Sequence, residues 1–166
     1  NGAKPEDLAR RGLCTVPEGR GVFPNLTVRE NLQMASFTGV SLESIETVAY
    51  ERFPRLRERR HQLTGTMSGG EQQMLAMARA LATDPAMLLL DELSMGLAPL
   101  VVAELYHLVA ELAETGVSIL VVEQFARTVL GVADRAAIMV NGRVTRVGAP
   151  ADLEEELSTA YLGATS

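Results

Sequence analysis

A short apolar run closed by two acids, Met87-Leu88-Leu89-Leu90-Asp91-Glu92, constrains this chain more than any other stretch. A continuous apolar run of this length, with Pro85 just before it, predicts a strand buried on both faces, the kind parallel sheets use. Ligands of such sheets bind outside the carboxyl ends of the strands. Asp91 and Glu92 are therefore expected where a ligand sits, with side chains on opposite sides of the strand by period-two alternation. One carboxylate can hold a hydrated Mg2+ while its neighbour orients or deprotonates an attacking water, the two tasks that phosphoanhydride hydrolysis requires. A strand ending at a solvated acidic turn has the same pattern, and the strand alone does not separate the two readings.

A second signal precedes it. Ser68 followed by Glu71 has the spacing of a capping box, and a helical run, Gln72 to Ala82, follows. Gly69 and Gly70 are expected to leave the first-turn amides uncovered. Together with the positive end of the helix dipole, such amides can receive a phosphate group. Most capping boxes do no more than cap. What is specific is the order: Ser68-Gly69-Gly70-Glu71-Gln72, its helix, a turn at Asp84-Pro85, then the strand ending in Asp91-Glu92.

These residues resemble the ATP-binding subunits of ABC transporters. Ser68 to Gln72 resembles the family signature, and Leu88 to Glu92 its Walker B strand and catalytic glutamate. The resemblance covers nearly the whole chain: Val16 to Leu32 is similar to the Q-loop region and Leu120 to Gln124 to the switch region. It is strongest with the branched-chain amino-acid importers, where a Glu stands at the Q-loop position, here Glu18, and a Gln at the switch position, here Gln124. The fold implied is α/β, a partial P-loop NTPase of ABC type with a parallel-sheet core and an inserted helical subdomain. Its expected divisions are 1–25, 26–82 and 83–166.

Composition is compatible with that reading. The chain has 166 residues and a net charge of -6, which argues against a general nucleic-acid surface. No apolar run approaches the roughly 18 residues of a spanning helix, so a membrane role is expected to come through a partner. Cys14 is the only cysteine, which excludes an intrachain disulfide and suits a reducing cytosol. It is expected to be a small buried residue of the first strand. Lys4 is the only lysine, and no Gly-x-x-x-x-Gly-Lys-Ser/Thr sequence occurs. A P-loop needs that lysine at the terminal phosphates and the hydroxyl on the metal, and arginine does not replace the compact ammonium. The expectation is that a strand, P-loop and following helix precede Asn1 in the intact subunit, that apolar sheet surface is exposed without them, and that this chain alone binds ATP weakly or not at all.

Along the chain, a short helix after Pro5 is expected to lead into the strand Leu13–Val16, stopped by Pro17. Glu18 follows in a loop, where the family's glutamine contacts the metal and the attacking water; a solvated loop acid is the plainer alternative. Thr27 and Glu30 form another capping box, opening a helix to about Thr38 that ends at Gly39, with Val28, Leu32, Ala35 and Met34 toward a core. The Phe23-Pro24 segment before it is a place for a transmembrane partner to press. Leu42 to Phe53 is a further helix, stopped by Pro54. The basic run Arg55 to His61 is expected to be a solvated helix face, contact with lipid headgroups or an acidic loop being the other reading. Past Glu92, Leu93 stands where the family usually has proline, and Ser94 to Pro99 occupies the D-loop, which in the family faces the other subunit. Pro99 to Thr115 is expected to be a helix with the stripe Val101, Val102, Leu105, Leu108, Val109, Leu112 facing inward and Glu104, His107, Glu111, Glu114 facing out. A buried strand, Ser118–Val122, then a helix over 125–133, a hairpin of Ala136–Val140 and Arg143–Val147 around Asn141-Gly142, and an acidic helix from Ala151 to about Leu157 before Tyr161 complete the chain.

The resemblance implies ATP and Mg2+ as cofactors. It implies Asp91 and Glu18 on the metal, Glu92 as general base, and Gln124 as a positioning group that cannot take a proton. Ser68, Gly69, Gly70, Glu71 and Gln72 would serve the nucleotide of a second ATP-binding subunit. Further partners implied are transmembrane permease subunits and, indirectly, a solute-binding protein, with the chain on the inner face of the membrane. Two alternatives remain: a non-hydrolysing interaction fragment, and a soluble ABC-type ATPase not tied to transport.

Overall fold

In the computed structural model, which describes residues 2–19, 21–124 and 129–154, the core is a three-stranded parallel sheet. Its strands are β1 (Leu13–Val16), β2 (Met87–Asp91) and β3 (Ser118–Val122), in spatial order β1-β2-β3. Leu88 pairs with Cys14 and Ile119, and Leu90 with Val16 and Val121. Alternation puts these six on one face. Val16, Leu88 and Leu90 are fully buried there, and Cys14, Ile119 and Val121 are partly buried against the same core.

The opposite face departs from expectation. Leu89 is only half-buried, and its partners Thr15 and Leu120 are exposed, as is Val122 beside Asp91. Leu120 keeps 50% and Val122 55% of its surface. β3 is thus an edge strand covered on one side, not the buried strand its composition predicts, because the helices packed on this sheet lie on one face of it. The expected exposure of apolar sheet surface is observed. Replacing Leu120 by Lys and Val122 by Thr is expected to reduce self-association, measured by sedimentation velocity, with the melting temperature retained. Loss of folding in that variant would mean the face is covered in solution.

A short helix, α1 (Pro5–Arg10), precedes β1. Between β1 and β2 the chain is helical: α2 (Val28–Gln33), a 3-10 segment Met34–Thr38, α3 (Leu42–Arg52), α4 (Pro54–Glu58) and α5 (Gly69–Leu81). The Thr27/Glu30 capping box forms as predicted. The helix it opens tightens to 3-10 after Gln33 and ends at Gly39, whose φ of 91° a side chain would resist. Val28, Leu32 and Ala35 are buried; Met34 is not, at 46% exposed. Pro54 does more than stop α3. It opens α4 as a first-turn residue, where its missing N–H is no loss.

A residue the pattern did not flag holds this region together. Asn31 is fully buried. Its Oδ1 accepts from the Phe23 amide at 2.8 Å, and the two hydrogens of its Nδ2 are shared among the carbonyls of Phe23 and Thr27, each 3.0 Å away, and Thr64 Oγ1 at 2.8 Å.

After β2, α6 (Pro99–Glu114) crosses back to β3. Leu105, Val109 and Leu112 are buried as expected, joined by Tyr106, while Val101, Val102 and Leu108 are half-buried. Glu104, His107, Glu111 and Glu114 are exposed. β4 (Ala136–Val140) and β5 (Arg143–Gly148) form a separate antiparallel hairpin. Asn141 and Gly142 both have positive φ, 48° and 76°, the backbone such a two-residue turn requires. The helix expected over 125–133 lies outside the described residues in its first four positions, as do the end of the acidic helix, which is described through Glu154, and Tyr161.

Candidate functional site

Because all three strands run parallel, their carboxyl ends share one edge. Val16 pairs with Leu90 and Asp91 with Val122, so Glu18, Asp91, Glu92, Glu123 and Gln124 all fall at or just beyond that edge. Glu18, Asp91 and Gln124 are exposed, and Glu92 is half-buried. The alternation expected to throw Asp91 and Glu92 to opposite sides stops at Asp91. Glu92 still donates its amide to the Val122 carbonyl at 2.9 Å, but its φ of 47° is left-handed, a conformation costing a non-glycine residue of order 1–3 kcal/mol.

The loop after Glu92 is tied down by a residue with no role in the sequence reading. Glu123 accepts from the Ser94 amide and the Ser94 hydroxyl, each at 2.8 Å, and from the Tyr106 hydroxyl at 2.5 Å. Burial first, and then the bond to Glu123, push the Tyr106 phenol up well beyond its ordinary range. Leu93, in the place of the family's proline, is buried; apolar packing and the Glu123 clamp therefore restrain this loop without a proline. On the other flank, Arg79 donates to the Gly21 carbonyl at 2.7 Å and stacks 5.1 Å from the centre of the Phe23 ring, which steadies the loop after Glu18.

Ser68 is the N-cap of α5, with both halves of the capping box present. The Ser68 amide and hydroxyl donate to Glu71 Oε2 at 3.0 and 2.9 Å, and the Glu71 amide returns to Ser68 Oγ at 3.4 Å. Gln72 turns back to donate to the Thr64 carbonyl at 2.9 Å. Ser68 is exposed and Gly69 half-exposed, but Gly70 is buried. A Cβ at Gly70 would meet Val101 at 2.5 Å, so of the two glycines expected to leave the first turn uncovered only Gly69 is half-exposed, and Gly70 lies under α6. The basic run also departs in part from a solvated face: Arg59 Nε reaches Glu71 Oε1 at 2.9 Å, and Arg57 lies over the Tyr50 ring. Cys14 is half-buried, its thiol pushed up by burial.

Among the described residues no group of three or more His, Cys, Asp or Glu is placed to enclose a cation. A Mg2+ ion takes one or two carboxylates and completes its shell with water and phosphate oxygens. Exposed Asp91, at a strand end, is a donor of that kind.

These features, a glycine-flanked serine capping one helix and an acidic strand end in a parallel sheet, are those of an ATP-binding cassette. The profile described as ABC transporter matches residues 2–94, and the chain belongs to that family. It is 43% identical to the high-affinity branched-chain amino acid transport ATP-binding protein BraG of Pseudomonas aeruginosa, covering 98% of this chain and 71% of that protein. It is 37% identical to the probable branched-chain amino acid transport ATP-binding protein LivF of Archaeoglobus fulgidus, covering 91% of this chain and 65% of that one. The fold is similar to that of an ABC-transporter ATP-binding cassette solved in its ADP conformation, with a TM-score of 0.81 at 24% identity over 94% of this chain and 68% of that structure.

Proposed function

We propose that this chain is part of the ATP-hydrolysing subunit of an importer of branched-chain amino acids. The observation that supports the reading is the joint geometry of Asp91 at the carboxyl end of β2 and an exposed Ser68 at the capped start of α5. In this reading Asp91, with Glu18, holds Mg2+, which when bound neutralises charge on the phosphates. Glu92 takes the proton of the attacking water, and Gln124 orients that water by hydrogen bonding. Ser68 and Gly69 reach the nucleotide of a second ATP-binding subunit facing this one. The helical segment between β1 and β2, with exposed Phe23 at its start, is the surface for the permease subunits, which would hold the protein on the inner face of the membrane. No described helix is long and apolar enough to cross a membrane.

The test asks whether Ser68 serves the nucleotide of a facing subunit. The chain alone is expected to hydrolyse no ATP and to show no micromolar MgATP binding by titration calorimetry. Mixed with an intact ATP-binding subunit whose own signature serine has been replaced, it is expected to restore hydrolysis in proportion to the amount added. No recovery with the wild-type chain would sink the role of Ser68 toward a facing subunit's nucleotide, on which this reading depends.

A further inference from the structure

The junction between α4 and α5 carries a charge relay to Ser68 that the proposed function leaves unused. Glu71 presents one oxygen, Oε2, to the Ser68 amide and hydroxyl, and the other, Oε1, to Arg59 Nε at 2.9 Å. The Glu71 side chain keeps 11% of its exposure and Arg59 43%, so the carboxylate is nearly enclosed while its cation stands at the solvent boundary. Arg59 Nη1 also donates to Gln62 Oε1 at 3.0 Å, and Gln62 Nε2 donates to Thr66 Oγ1 at 3.0 Å. One arginine thus grips both the helix start and the loop that feeds it.

The chemistry poses a problem that this arrangement answers. The single hydroxyl proton of Ser68 is given to a carboxylate, and a polyphosphate approaching Ser68 meets that negative charge at short range. Like charges that close repel unless a cation offsets them. We infer that Arg59 is a positioning residue for the signature serine: it neutralises Glu71 and holds its carboxylate in plane, so that Ser68 is presented to an anionic nucleotide. This rests on the proposed role of Ser68 toward a partner's ATP. Arg59 acts on Ser68 through Glu71.

The experiment measures KM for MgATP and kcat in the mixed assay described above, with wild-type chain, Arg59→Gln, Arg59→Lys, and the pair Arg59→Gln with Glu71→Gln. The expected result is a KM raised about threefold to fivefold by Arg59→Gln, the size that a solvent-screened ion pair supports, with kcat nearly unchanged. Arg59→Lys is expected to recover part of the loss. The double variant is expected to recover most of it, because glutamine still accepts from Ser68 but carries no charge. An unchanged KM in Arg59→Gln overturns the inference while leaving the proposed function intact. A double variant as impaired as Arg59→Gln also overturns it, since that is the signature of a scaffold contact. Failure of the wild-type chain to restore any hydrolysis sinks the role of Ser68 and this inference with it. Circular dichroism melts of each variant confirm that folding is retained.

Discussion

In the complete ATP-binding subunit that carries these residues, Glu92→Gln lowers ATP turnover by a factor of ~10²–10⁴, the range that a positioned general base contributes. MgATP affinity stays within about twofold, since a group acting in the transition state leaves ground-state binding alone. The expectation comes from placement. β2 ends at Asp91, and the turn that begins at Glu92 is held by the Glu92 amide on Val122 and by Glu123 on Ser94. Glu92 is half-buried and Asp91 exposed, so the two acids stand in different environments. Gln124 can orient a water but not deprotonate it, and the proposed function assigns the base to Glu92. Single-turnover hydrolysis with parallel nucleotide-binding measurements checks this. A variant that turned over ATP at the wild-type rate would remove Glu92 from the chemistry.

The largest stability effect is expected far from that edge. Asn31→Ala costs about 2 kcal/mol, because the part-buried Phe23 amide loses its acceptor and the site loses a fully buried side chain. The loss is concrete: the Phe23 amide has Asn31 Oδ1 as its acceptor, and the carbonyls of Phe23 and Thr27 and the Thr64 hydroxyl lose the two N–H groups they share. Thr64 keeps its bond to the Leu26 carbonyl at 2.9 Å, which limits the damage to the Phe23 side. Urea unfolding reads the change as a lower midpoint at constant slope, since the surface exposed on unfolding hardly differs. Asn31→Asp keeps the acceptor for Phe23 but buries a charge beside carbonyls, so it is expected to destabilise as well. An effect under about 1 kcal/mol for Asn31→Ala would mean that water replaces the side chain.

Much of this chain was legible from local chemistry. Both capping boxes, Thr27 with Glu30 and Ser68 with Glu71, involve residues three apart, so the sequence contains the whole interaction. The bounds of β1 and β3, and the Asn141-Gly142 turn, follow from apolar runs and backbone preference, and they stand where the residues place them. The errors have a common origin. Met34 was expected inward from helical periodicity, but the chain tightens to 3-10 there and rotates it outward. Leu120 and Val122 were expected to be buried because they are apolar, yet whether a sheet face is covered depends on what packs across it.

The local sequence determined where helices start, where strands run, and that acids close the central strand, because each is a matter of neighbours a few residues apart. Tertiary structure alone decided that Arg59 meets Glu71, that Asn31 ties Phe23 to Thr64, and that Glu123 clamps Ser94 and Tyr106. The partners in these contacts stand between 8 and 33 positions apart, and no propensity or periodicity encodes a meeting at that distance. It takes the packing of α2, α5 and α6 around the sheet to bring their polar groups within reach of one another.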